Sequence, residues 1–105
     1  MKMKFEQKTL KEFVWDHWNR DKIRQKHKVE VYECEEVFFC KHLKIVPDES
    51  HSITEKRFYA YGYTDSSRLL FVVFTVRGGG VRVISARNMN KKERRWYHEK
   101  IKKDS

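Results

Sequence analysis

The stretch Arg68–Arg87, RLLFVVFTVRGGGVRVISAR, decides how this chain folds. Leu69–Phe74 is apolar without a break, as in a central strand covered on both faces. Gly78–Gly80 follows, and glycine tolerates the positive φ of a tight hairpin turn. Val81–Arg87 then returns as a second strand. The stretch reads as a β-hairpin with Arg77, Arg82 and Arg87 at its turn and far end. Arginine grips phosphate through a planar fork that makes paired hydrogen bonds. Fixed arginines on a small basic sheet therefore suggest a nucleic-acid backbone as partner.

Strand alternation sorts these arginines. Arg77 falls with Thr75, Val73 and Phe71, and Arg87 falls with Ser85, Val83 and Val81. Arg82 falls on the opposite side, with Ile84 and Ala86. Arg82 and Arg87 can share a surface only if a bulge or a strand end intervenes. The structural alternative for each arginine is a salt bridge to Glu55, Asp65 or Glu93.

Upstream, Thr54–Tyr63 reads as another strand, with Arg57, Tyr59, Tyr61 and Tyr63 on one face. These tyrosines can stack bases, but packing beneath a helix is the reading a half-buried sheet favours. Leu43–Val46 is a short strand expected to stop at Pro47, with a polar loop over Asp48–Ser52. Two helices precede it. One is capped by Asp16 or Asn19 and runs to about Lys28; the other covers Glu30–Phe39. Glu12–Asp16 can form a first strand. Downstream, Asn90 with Glu93 three positions later marks the start of a helix reaching about Lys102. The order β-α-α-β-β-β-β-α gives the class α+β with an antiparallel sheet. The chain reads as one domain over residues 1–105, of which 1–11 is a loosely held extension.

The chain has 105 residues, 24 Lys+Arg against 15 Asp+Glu, and a formal net charge of +9. Such a balance suits a polyanion: RNA, DNA or an acidic protein. The amino-terminal residues are charged throughout, without the apolar core of a signal peptide, and no apolar run is long enough for a bilayer. A cytoplasmic protein without membrane contact is expected, with Cys34 and Cys40 as reduced, partly buried thiols. The five histidines show no metal-binding spacing, and the glycine turn lacks the Lys-Ser/Thr pair of a P-loop. No metal site and no cofactor are expected.

The run from Arg68 through Arg77, the glycine turn, Val81–Arg87 and the segment Lys91-Lys-Glu-Arg-Arg-Trp-Tyr97 resembles the BrnT family of bacterial toxins. Val14-Trp-Asp16, Lys26-His27, Glu35-Glu-Val-Phe38 and Glu55-Lys-Arg-Phe-Tyr59 fit in order, so the resemblance covers roughly Phe13 to Glu99. His17 and Trp18 stand where several members have a proline, and the turn lacks the acidic residue common in relatives. The resemblance implies a RelE-like fold, with an antiparallel sheet, N-terminal helices and a C-terminal helix. It also implies a ribonuclease toxin of a type II toxin–antitoxin pair that cuts RNA without a metal. A BrnA-like antitoxin would neutralise it, and operator DNA would be met only through that complex.

In such a reaction the RNA 2′-hydroxyl attacks the adjacent phosphorus. A base takes its proton, cations stabilise the phosphorane, and an acid protonates the departing 5′-oxygen. Arg77 and Arg87 are the expected stabilisers, with Arg82 a lesser candidate. Lys26 and His27 can transfer protons or hold substrate. Trp15 can stack a base or anchor the first strand, and Lys22, Arg57, Tyr59, Arg94 and Arg95 are candidate nucleic-acid contacts. The identity of the proton acceptor stays open. The competing readings are a non-catalytic RNA- or DNA-binding domain and a protein-interaction module with a basic face.

Overall fold

The apolar hairpin is the centre of a five-stranded sheet. The computed structural model describes residues 12–49 and 55–104. The expected 1–11 extension, most of the loop after Asp48, and Thr54 lie outside the described residues. In chain order the elements are β1 (Glu12–Val14), α1 (His17–His27), α2 (Val31–Phe39), β2 (Lys44–Asp48), β3 (Arg57–Tyr63), β4 (Leu69–Arg77), β5 (Gly80–Asn88) and α3 (Lys91–Asp104). The spatial order is β1-β5-β4-β3-β2. The α+β class and the element order follow the sequence reading.

Two details depart from it. Strands β2 to β5 are antiparallel, but β1 adds to β5 in parallel, so the sheet is mixed. Strand β2 also continues through Pro47 to Asp48 instead of stopping before the proline. It is the outermost strand, and an edge strand tolerates a residue without an N–H.

Each face of the sheet carries its own core. Ile23 of α1 and Cys34, Val37 and Phe38 of α2 meet Ala60, Leu70, Val72, Phe74, Val81, Val83 and Ala86. On the opposite face, Trp96, Tyr97 and Ile101 of α3 pack with the tyrosines of β3 and with Phe71 and Val73. The tyrosines thus lie beneath a helix, as expected, with Tyr61 at 4.6 Å from Trp96. Strand β4 is covered on both faces, which is why its sequence is apolar at both parities. Gly62 lets α2 approach β3, because a Cβ there would lie 2.8 Å from Cys40 Sγ.

The helix ends obey local chemistry. Asp16 caps α1 by accepting from the Asn19 backbone N–H at 2.7 Å. Asn90 and Glu93 exchange the two bonds of a capping box at 2.8 Å each. Strand β1 is too short to cover the edge of β5 beyond Arg82. There α1 takes over: the buried Asn19 side chain donates through Nδ2 to the Val83 carbonyl. Replacing Asn19 with Ala leaves that carbonyl without its donor. The variant should lose about 1–3 kcal/mol of stability, read as a lower urea midpoint with an unchanged denaturant slope.

Candidate functional site

The register of the central hairpin contains the bulge that alternation demanded. Val73 pairs with Ser85, whereas Phe74 pairs with Val83, so Ile84 has no partner across the ladder. Thr75 then lies opposite Arg82, and Phe71 opposite Arg87. This corrects the simple alternation. Val81 and Val83 belong to the core under α1 and α2, and Arg82 turns to the other face with Ser85 and Arg87. Four residue steps along β4, from Phe71 to Thr75, separate the two arginine positions, roughly 13 Å along the strand.

Around the Arg82 end, Arg77 Nε donates to Glu55 Oε2 at 2.6 Å. That bond, reinforced by the charges of Arg77, Arg82 and Arg57, holds the Glu55 carboxyl below the usual range. Three arginines therefore bear on one carboxylate. Arg82 also lies 3.8 Å from Asp16, at the mouth of α1. Tyr59 packs on Phe71 at 4.9 Å. Burial, followed by its bond to Asp48, pushes its hydroxyl up.

The Arg87 end is more tightly built. Nη1 and Nη2 donate to the two carboxylate oxygens of Glu93, each at 2.8 Å, and Nη1 also donates to the Asn88 carbonyl at 3.1 Å. The guanidinium lies over the Phe71 ring, 4.4 Å from its centroid. Glu93 titrates below the usual carboxylate range: burial opposes this, and the Arg87 bonds and an Asn90 backbone N–H outweigh it. His27, at the end of α1, is within reach of the Arg87 charge. Burial first, then Lys26 and then Arg87, lower its pKa from 6.5, which favours the neutral imidazole.

Arg68 places His27 there, a role the sequence did not disclose. Its guanidinium donates to the carbonyls of His27 and Lys28, to Glu33 at 2.9 Å and to Asn88 Oδ1 at 2.7 Å. One side chain thus ties the end of α1, the start of α2 and the residue after Arg87. Its position at a strand start carries no distinguishing pattern.

Other expected contacts fall elsewhere. Trp15 packs against the core under α1 and α2 and donates its indole N–H to Glu35 at 2.9 Å, so it anchors the chain after β1. Lys22 is exposed on α1; Arg94 and Arg95 are exposed on α3, with Arg94 donating to the Met89 carbonyl. Among the described residues, these three make no hydrogen bond or ion pair with either arginine cluster. Cys34 is buried and its thiol is pushed up to about 12, mainly by burial, so it fills space instead of attacking substrate.

The family model described as the ribonuclease toxin BrnT of type II toxin–antitoxin systems matches residues 15–93. In three dimensions the chain is similar to the Brucella abortus ribonuclease toxin BrnT, solved at 1.1 Å, with a TM-score of 0.58 and 22% identity. That likeness covers 76% of this chain and 97% of the Brucella chain, and speaks for the fold. No curated protein matches. No helix among the described residues is long and apolar enough to cross a membrane.

The electrostatic link between Arg87 and His27 can be measured directly. Removing a positive charge makes the imidazolium easier to form. In Arg87→Ala, the His27 pKa followed by imidazole NMR should therefore rise toward 6.5. An unchanged value would place His27 outside the reach of Arg87.

Proposed function

Since this chain belongs to the BrnT family, and so is a ribonuclease toxin of a type II toxin–antitoxin system, we propose that it cleaves RNA by metal-independent attack of the 2′-hydroxyl on the adjacent phosphorus. The observation that carries this reading is the Ile84 bulge, which turns Arg82 onto the face of Arg87. A single RNA strand lying along that face meets cations at two separated points. The Arg87 end does the chemistry, and the cluster of Arg57, Arg77 and Arg82 holds the strand. Tyr59 lies on the same face between the two arginine positions, packed on Phe71.

Neutral His27 accepts the 2′-hydroxyl proton. The 2′-oxygen bonds to phosphorus, and Arg87 stabilises the phosphorane that forms. The P–O5′ bond then breaks and the 5′-oxygen takes a proton, for which the Lys26 ammonium is the nearest sequence neighbour. The products are a 2′,3′-cyclic phosphate and a 5′-hydroxyl. Every step uses protein protons and cations, so no metal is required. Lys22, Arg94 and Arg95 contribute general attraction to the RNA backbone.

The partner that restrains this activity is a BrnA-like antitoxin, and operator DNA is reached only through the complex with it. The net charge of +9 suits a partner that brings acidic groups to the toxin surface.

Purified full-length chain should cleave RNA in excess EDTA and leave a cyclic phosphate. RNA carrying a 2′-deoxy sugar at the cut site should remain whole. Arg87→Ala should lower kcat by about 100- to 1,000-fold. Arg82→Ala should mainly weaken RNA binding and flatten its salt dependence by about one ion. RNA bound but intact would identify a non-catalytic binding domain. Folded Arg87→Ala cutting at the wild-type rate would remove Arg87 from the mechanism.

A further inference from the structure

Glu93 does three things at once. Its Oε1 accepts the Asn90 backbone N–H and Arg87 Nη1, and its Oε2 accepts Arg87 Nη2, all at 2.8 Å. It therefore holds the terminal edge of the guanidinium. Nη1 is saturated by its second bond, to the Asn88 carbonyl. A guanidinium has five N–H groups in a rigid fork, and among the described residues three are engaged here. The remaining two are on Nε and Nη2. They lie parallel along the other edge, the arrangement that a phosphate accepts in bidentate fashion. Phe71 supports the flat face, which removes the remaining rotational freedom.

We propose that Glu93 is a positioning residue for cleavage: by holding the end of Arg87 it presents the Nε–Nη2 edge to the scissile phosphate. This rests on the RNA-cleavage reading above. The carboxylate does not touch substrate. Its contribution is orientation, and orientation acts on kcat more than on binding. The capping box alone does not account for it, because a cap needs only Oε1, whereas both oxygens are engaged and, among the described residues, Oε2 serves Arg87 only.

The test compares Glu93→Gln, Glu93→Ala, Arg87→Ala and Asn90→Ala in the full-length chain, using a labelled RNA oligonucleotide that the wild type cuts. Glutamine keeps an acceptor for the Asn90 N–H but sets its own amide donor against Arg87 Nη2. Asn90→Ala weakens the same helix start and leaves the Arg87–Glu93 bonds in place. The expected result is a fall in kcat of about 10- to 100-fold for both Glu93 variants, with KM nearly unchanged. Asn90→Ala should keep wild-type kcat despite a lower melting temperature. If Glu93→Gln and Glu93→Ala keep or gain activity while Arg87→Ala loses it, Glu93 does not position Arg87 for the reaction. If Asn90→Ala falls as far in kcat as Glu93→Gln, the effect is helix stability and the positioning role is overturned. Should Arg87→Ala itself cut normally, the underlying reading of Arg87 fails, a result distinct from either of these.

Discussion

In β5, Ile84 has no partner across the ladder, and the residues before it are turned over relative to those after it. Val81, Val83 and Ala86 all reach the core beneath α1 and α2, although 83 and 86 differ in parity. A regular strand would either expose the valines and drive the Arg82 guanidinium into that core, or keep the valines inside and drive Arg87 in with them. A buried unpaired charge is far more costly than a local break in the ladder. Packing thus selects the bulge, and the bulge brings Arg82 and Arg87 to one face. The arrangement of cations follows from how aliphatic side chains fill the opposite side of the same strand.

The second constraint is how α1 is moored. Strand β1 covers only the first three residues of β5, from Gly80 to Arg82. Asn19 satisfies the next part of the edge, and Arg68 fixes the far end of α1 beside Asn88. With both ends held, His27 sits where burial first, then Lys26 and Arg87, lower its pKa. Neither Asn19 nor Arg68 is aimed at a substrate. They set the position of His27, the proton acceptor proposed above, and a slack mooring would let it move away from Arg87.

The hairpin, the helix caps and the element order were legible because they rest on local chemistry. Glycine in a turn, Asn90 with Glu93, and an uninterrupted apolar run each have one ready interpretation. The tyrosine stripe was also read correctly, since a half-covered sheet needs a helix over it. What alternation alone could not supply was the position of the bulge, which depends on how two cores pack at once. It could state only that Arg82 needed one. Proline was misjudged for a related reason: whether Pro47 ends β2 depends on β2 being an edge, and strand order is a property of the whole sheet. The tertiary roles of Asn19 and Arg68 were not legible because their partners lie 64 and up to 41 residues away, respectively, and no short-range pattern marks them.

The arginines of the sheet already hold carboxylates, and the two ends do so in different ways. The Arg77–Glu55 pair is exposed, so water competes with it and an incoming phosphate can replace Glu55 at little loss. On the proposed reading, such a pair keeps the side chain extended until RNA arrives and then gives way to it. Arg87 and Glu93 are half-buried and bonded twice, with the guanidinium stacked on Phe71. Exchanging Glu93 for phosphate there would strip a partly buried carboxylate of its partner, which is costly. A ligand at Arg87 is better accommodated on the free edge, with Glu93 retained. One end of the face is therefore suited to capture by exchange, and the other to holding a phosphate against a fixed guanidinium. Capture tolerates motion, whereas stabilising a phosphorane does not, and the rigid pair is the one beside neutral His27.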